Sequence, residues 1–347
     1  MISKSISTGR FALISWLAVV SFLIFSMVVI GGVTRLTHSG LSMVEWKPLM
    51  GAIPPLHEQA WQEVFQKYQQ SPEYQVINQG MTLQKFKSIF FWEYFHRLLG
   101  RLIGLVFIVP YFFFLWKGTL PKGLAQKLIP AFFIGGLEGV MGWLMVKSGL
   151  VDLPRVSPYR LAAHLLIAFF LFAYLFWILL DLIVEGELEN LVSEAHICKL
   201  KSISRWILAL IVLAVIYGAL TAGLKAGYGY NTFPKMDGEW FPSGFFALQP
   251  HWRNFFENGV SVQFIHRTIG ILLLVTVTSF WVYARRWVLS PRQFFGVNFL
   301  LLMVLVQVFL GITTLLLIVP VSLAVLHQAI AFILFAVAIF MVRTFSE

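Results

Sequence analysis

The phrase EYFHRLLGR, Glu93 to Arg101, places a His-Arg-x-x-Gly pattern where a polar stretch turns apolar, and QFIHRTIG, Gln263 to Gly270, repeats it much later. A second histidine follows each, His164 in RLAAHLL and His327 in LAVLHQA. Two neutral imidazoles on facing helices can occupy the opposite axial positions of a six-coordinate heme iron, with apolar walls around the flat macrocycle. A single histidine at the start of a membrane helix is ordinarily interfacial. Four at matching positions, His96 with His164 and His266 with His327, argue for ligation instead. Zinc is a poor rival, because neither pair has Cys or carboxylate partners at ligand spacing. His38, His57, His196 and His251 fall in polar loops without repeat partners and are read as ordinary surface residues.

Arg97 and Arg267 follow the first histidine of each pair. A guanidinium forks onto a carboxylate, so they could neutralise heme propionates; anchoring to lipid headgroups explains them equally well. Gly100 and Gly270 would leave room for a macrocycle or for close helix packing. The two segments differ in one informative way: Glu93 is matched by Gln263, and Glu138 in EGVMG by Gln307 in QVFLG. A carboxylate at a membrane site is costly unless it works or pairs. Glu93 lies three residues before His96 on the same helical face, where it could stabilise charge or move a proton, or could pair with Arg97 four residues on.

These residues need helices to hold them. Hydrophobic residues make up 59% of the 347-residue chain and charged ones 12%, too little polar surface to cover a soluble globule. Apolar runs long enough to cross a bilayer recur at 11–30, 98–116, 128–146, 161–183, 206–224, 269–287, 295–319 and 321–342, which predicts an all-α polytopic protein of eight transmembrane helices. Lys117, Lys122, Lys127, Lys199, Lys201, Arg205, Arg285, Arg286 and Arg292 fall on one side, against Lys147, Arg155 and Arg160 on the other. The bias predicts both termini in the cytoplasm and gathers the four histidines near the outer surface. The net charge of +10 then reflects topology and anionic-lipid contact, not nucleic-acid binding. Cys198, expected in a cytoplasmic loop, is the only cysteine, so no intrachain disulfide or Cys-based cluster can form.

The intervals His96–His164 and His266–His327 are about 60 to 70 residues, a fixed period that marks a repeat. Two pseudo-symmetric four-helix bundles in tandem are expected: residues 1–183 as the N-terminal half, 184–203 as a cytoplasmic linker, and 204–347 as the C-terminal half. The first helix of each half leads into a long outer stretch. In the first, Leu56, Ala60, Trp61, Val64, Phe65 and Tyr68 share a helical face, as in a helix lying on the membrane surface; the second, Ala222 to Pro242, suits a lid or rim.

The phrases GGVTRLTHSGLSMVEWKP, FFWEYFHRLLGR, AGLKAGYGYNTFPKMDGEWFP, QFIHRTIG and VLHQAIA together resemble the heme A synthase family over nearly the whole chain, from Phe11 to about Val342. The resemblance implies an eight-helix enzyme of the bacterial inner membrane that oxidises the C8 methyl of heme o to the formyl of heme a, through a hydroxymethyl and a geminal diol, for terminal oxidase assembly. It implies a low-spin heme b cofactor on His266 and His327, substrate heme o between His96 and His164, and Glu93 as the essential glutamate. Water as the oxygen source fits two bis-imidazole sites, which leave no open iron position for dioxygen. The chain lacks the outer-loop cysteine pairs of one member group and so looks like the alphaproteobacterial and mitochondrial kind. Delivery of heme o by heme o synthase (protoheme farnesyltransferase), the electron acceptor and a homo-oligomeric state stay open. Two other function classes also stay open at this point: a two-heme membrane cytochrome that passes electrons, for example from quinol, and a heme transporter or chaperone.

Overall fold

The computed structural model describes residues 8–45, 53–149, 156–184 and 194–346. Residues 46–48 at the end of the first outer stretch, Arg155, and most of the acidic linker between the halves lie outside these. The elements are α1 (Thr8–Leu36), α2 (Glu58–Gln69), α3 (Pro72–Val76), α4 (Leu83–Trp116), α5 (Leu124–Gly149), α6 (Pro158–Val184), α7 (Glu194–Gly223), α8 (Asn254–Glu257), α9 (Gly259–Ala284), α10 (Pro291–Leu316) and α11 (Val321–Thr344), with no strand among the described residues. Eight of them, α1, α4, α5, α6, α7, α9, α10 and α11, are long and apolar enough to cross a membrane. A helix satisfies its backbone groups internally, which hydrocarbon demands. The protein is an all-α, multi-pass membrane protein.

Local sequence sets the helix starts. The Thr82 hydroxyl caps α4, the Asn258 side chain caps α9 by accepting from the Val260 N–H, and α10 opens on a Ser290/Gln293 capping box with Pro291 in its first turn. His57 caps α2 by accepting from the Ala60 N–H at 3.2 Å, an ordinary structural role. Two starts fall earlier than the apolar runs suggest. Helix α7 begins at Glu194 rather than Trp206, so Cys198, which is exposed, and His196 stand on a helix and not in a loop; the His196 ring lies 3.6 Å, centroid to centroid, from that of Trp287.

Helix α4 begins at Leu83 rather than Leu98. Its 34 residues span about 51 Å, well beyond the roughly 30 Å of hydrocarbon, and His96 sits well inside it rather than in its first turn or two. Polar residues interrupt the hydropathy of this N-terminal extension, but Phe86, Phe90 and Tyr94 recur every fourth residue and form one buried cluster with Tyr68 of α2. Tyr68 stacks on Phe86 with ring centroids 4.9 Å apart, and Trp61 meets Phe90 edge-on at 5.0 Å. The apolar face of α2 is therefore turned onto α4, which corrects the expectation that it rests on lipid. Leu56 precedes α2 and is exposed.

Beneath this cluster the Glu73 carboxyl is 3% exposed and accepts a hydrogen bond from Tyr68 Oη at 3.4 Å; Asn78 Nδ2 donates to the same Tyr68 oxygen at 2.7 Å. Burial, and then the nearby Glu93 carboxylate, push Glu73 up to about 7. The folded segment thus holds a proton that the unfolded chain releases near 4.5, so its stability falls as pH rises between these values and is flat above them. The protection factors of the α2 and α3 amides, with the intrinsic pH dependence of exchange divided out, are expected to be larger at about pH 5 than at about pH 7.5, and Glu73→Gln should abolish that difference. Equal pH sensitivity in that variant would locate the titrating group elsewhere.

The chain divides into two compact units, Val19–Ala168 and Met1–Ala18 with Phe169–Glu347. The first holds most of α1, the α2–α4 aromatic cluster and α5. In the second, Phe169 and Phe172 of α6 meet Phe332 of α11 with centroids 4.7 and 4.5 Å apart, Arg343 pairs with Asp181 at 2.7 Å, and Arg10 donates to the Leu182 carbonyl. The chain between α7 and α9 in this unit is held by side-chain amides. Asn258 Nδ2 donates to the Gly244 and Phe245 carbonyls, and Asn231 Nδ2 to those of Gly227 and Leu315.

Candidate heme-binding sites

Each of the four paired histidines lies against a glycine of another helix. A Cβ built on Gly31 of α1 would stand 3.1 Å from His96 Nε2, and one on Gly142 of α5 would stand 3.4 Å from His164 Cε1. In the other unit a Cβ on Gly218 of α7 would come within 3.2 Å of His266, and one on Gly311 of α10 within 2.9 Å of His327. At the shorter of these separations an alanine could be accommodated only if the imidazole moved. Glycine on α1, α7 and α10 thus lets the rings of α4, α9 and α11 sit where they do, whereas a Cβ on Gly142 of α5 would meet His164 at ordinary contact distance. By contrast Gly100 faces only Met27 and Gly270 has nothing within 4 Å, so the glycines singled out beside the His-Arg pairs do not seat the rings.

Gly142 and Gly311 are legible as a repeat match, whereas sequence reasoning missed Gly31 and Gly218. Their signal is present as GGVT, Gly31 to Thr34, and GALT, Gly218 to Thr221, a shared Gly-x-x-Thr near the end of the first helix of each half. The outer stretches that follow differ in length, so no constant spacing to the histidine exposes it.

Glu93 and Arg97 form the ion pair that their spacing allows, Arg97 Nη2 to Glu93 Oε1 at 2.5 Å. Glu93 Oε2 also accepts from the Ser42 hydroxyl and the Met43 N–H, each at 2.7 Å, and Arg97 donates to the Met43 and Glu45 carbonyls at 3.0 and 3.3 Å. The carboxylate thereby fastens the chain after α1 onto α4 beside His96. Gln263 and Arg267 do the same for the chain after α7, with Arg267 again donating to carbonyls and Gln263 reversing the polarity of Glu93. Gln263 Nε2 donates to the Ala226 and Gly229 carbonyls at 2.9 and 2.8 Å, its Oε1 accepts from Arg267 at 3.2 Å, and Arg267 donates to the Tyr230 and Thr232 carbonyls. One outer stretch offers donors and meets a carboxylate; the other offers carbonyls and meets an amide. Ser42 is the partner that sequence alone did not single out.

The residues fit a heme at His266 and His327. Their ring centroids are 6.4 Å apart with planes nearly perpendicular. Two metal–nitrogen bonds of about 2 Å, plus the reach from ring edge to ring centre on both sides, span roughly 6 Å. The Ala214 and Gln307 carbonyls lie beside the two rings, yet Nδ1 of each is buried without a hydrogen-bond partner of good geometry, a state that costs free energy; iron on Nε2 would hold the rings where those carbonyls can take the Nδ1 protons. His96 and His164 lie within electrostatic reach of each other, and His164 Nδ1 is 3.0 Å from Glu138 Oε1. Among the described residues no three His, Cys, Asp or Glu side chains converge on a metal; the histidines are paired, not clustered.

Residues 14–339 match the family model described as cytochrome oxidase assembly protein, COX15-CtaA. The chain is 50% identical over 324 residues to a heme A synthase of Nitrosospira multiformis, covering 93% of this chain and 90% of that one. It is 47% identical over 345 residues to the heme A synthase of Nitrosomonas eutropha, covering 99% and 97%, and 46% identical over 332 residues to that of Parvibaculum lavamentivorans, covering 96% and 94%. A match of this depth over nearly the full length, on residues that seat two histidine pairs in the same manner, establishes that the chain belongs to the cytochrome oxidase assembly protein (COX15-CtaA) family, the family of the heme A synthases.

Proposed function

We propose that this protein is a heme A synthase, oxidising the C8 methyl of heme o to the formyl of heme a. The observation that carries this is the duplicated seat, a histidine pair with each ring set against a glycine, whose flanking side chains differ in charge between the halves. Such a difference is expected if one site transforms its heme and the other only uses it. We assign heme b to His266 and His327 in the C-terminal half, 204–347, and substrate heme o to His96 and His164 in the N-terminal half, 1–183. Bound there, heme b would supply one-electron transfer.

Each oxidation step adds one water oxygen to the methyl carbon and releases two electrons and two protons to an acceptor; the geminal diol then loses water to give the formyl. Glu93 is the candidate catalytic group, stabilising positive charge as it develops on the substrate carbon. Arg97 and Arg267 hold the outer stretches over the two sites and are candidates to meet propionates. Expression in a bacterium that makes heme o but no heme a should yield extractable heme a. Heme o left unchanged by a well-expressed protein would overturn the proposal.

The bias of Lys and Arg supports an inner-membrane protein with both termini cytoplasmic and the heme sites toward the periplasm. Cys198 reports on this orientation because it is exposed. A membrane-impermeant maleimide is expected to label it only after the inner membrane is opened, and labelling in cells with that membrane intact would invert the topology.

A further inference from the structure

The reaction as assigned leaves unused a carboxylate embedded in an apolar membrane helix. Glu138 Oε1 lies 3.0 Å from His164 Nδ1, close but not aligned as a hydrogen bond, and its Oε2 is buried without a hydrogen-bond partner. Glu138 precedes Gly142 by four residues, so one face of α5 presents to His164 both the glycine that the ring lies against and, a turn away, the carboxylate that meets its Nδ1. In the other unit α10 presents Gly311 and Gln307 to His327 with the same spacing, and Gln307 Nε2 is 3.3 Å from His327 Nε2. The spacing along the helix repeats, but the carboxylate of one half meets Nδ1 of its ring and the amide of the other meets Nε2.

We propose that Glu138 is a positioning residue that acts on the substrate heme through His164, fixing the proton on Nδ1 and making the ring a more electron-donating ligand than His327. The inference rests on the assignment of heme o to His96 and His164. An acceptor at Nδ1 selects the tautomer whose Nε2 lone pair is free for iron, and a carboxylate draws the Nδ1 proton harder than an amide or a carbonyl can. A more basic axial ligand favours the ferric state and lowers the potential of its iron. The consequence is directional: electrons leave the substrate heme more readily than they leave the heme held by His266 and His327, which is what an oxidation by electron removal requires. A purely structural Glu138 would only fill space, and exchanging its carboxylate for an amide of the same shape would move neither potential.

The test is potentiometric titration of protein purified with both hemes bound, comparing the parent with Glu138→Gln and Glu138→Asp. Glu138→Gln should raise the midpoint of the heme on His96 and His164 and leave that of the heme on His266 and His327 unchanged. Glu138→Asp keeps the charge but draws it back by one methylene, so it should raise the first midpoint by less and also spare the second. Hemes retained with unmoved midpoints in Glu138→Gln would overturn the inference. If Glu138→Gln fails to hold the substrate heme, Glu138→Asp decides: a raised first midpoint supports the action of the carboxylate, and an unmoved one removes it. A parent that carries heme on His266 and His327 but never on His96 and His164 would instead overturn the functional reading, a result distinct from unmoved midpoints.

Discussion

His266→Ala and His327→Ala proteins will be purified without the low-spin heme b spectrum of the parent. Their rings are the pair with a 6.4 Å centroid separation and buried, unpartnered Nδ1 atoms. Losing either leaves iron five-coordinate and the macrocycle held from one side. The helices should survive the change, since α9 and α11 are anchored by large buried side chains such as Phe280, Phe332 and Phe335. Removing an imidazole from a buried position costs a few kcal/mol at most, a size that a membrane bundle tolerates. The reduced-minus-oxidised spectrum is the measurement, with circular dichroism to check the fold. An unchanged spectrum in either folded variant would remove the assignment of heme b to this pair.

The second large effect is expected at Glu93. Glu93→Gln keeps size and shape but deletes the charge, and stabilisation of developing charge in a dry site is typically worth about 3 to 4 kcal/mol, or roughly a hundredfold to a thousandfold in rate. The fold adds a structural cost, because this carboxylate accepts from Ser42, Met43 and Arg97 at once, and an amide there turns an N–H₂ toward donors. Ser42→Ala separates the two contributions. It removes one bond of the fastening and leaves the charge, so heme a formation should fall by no more than about tenfold. Heme b content should be normal in both proteins, because its site is built from other residues. A Ser42→Ala loss as deep as that of Glu93→Gln would make Glu93 a clasp for the outer stretch rather than a participant in chemistry. The converse exchange, Gln263→Glu, would point a carboxylate at the Ala226 and Gly229 carbonyls and is expected to loosen the second outer stretch.

Much of this was legible in the residues. Hydropathy gave the eight crossings because the bilayer forces long, uninterrupted helices, and the repeated His-Arg-x-x-Gly pattern located the rings. Hydropathy could not see the N-terminal extension of α4, whose stability comes from Phe86, Phe90 and Tyr94 packing on Tyr68 rather than from lipid. Nor could it see that the face of α2 bearing Trp61 and Phe65 is spent on that contact. The exchange of Glu93 for Gln263 was visible as a charge difference, but its hydrogen-bonding sense depends on what approaches: a serine hydroxyl and a backbone N–H in one half, carbonyl oxygens in the other. Backbone polarity of a loop is not written in side-chain types. The seats at Gly31 and Gly218 stayed hidden for a related reason, since a glycine matters here through the ring it admits from another helix.

The most direct test of the account is the pigment carried by the purified protein from cells with and without the farnesyltransferase that makes heme o. With the enzyme present, extraction and mass analysis should recover heme b together with heme o and heme a. Without it, heme b should remain and the other two should vanish. Heme b alone from both sources, at two per chain, would contradict the account and leave a cytochrome that passes electrons and transforms nothing.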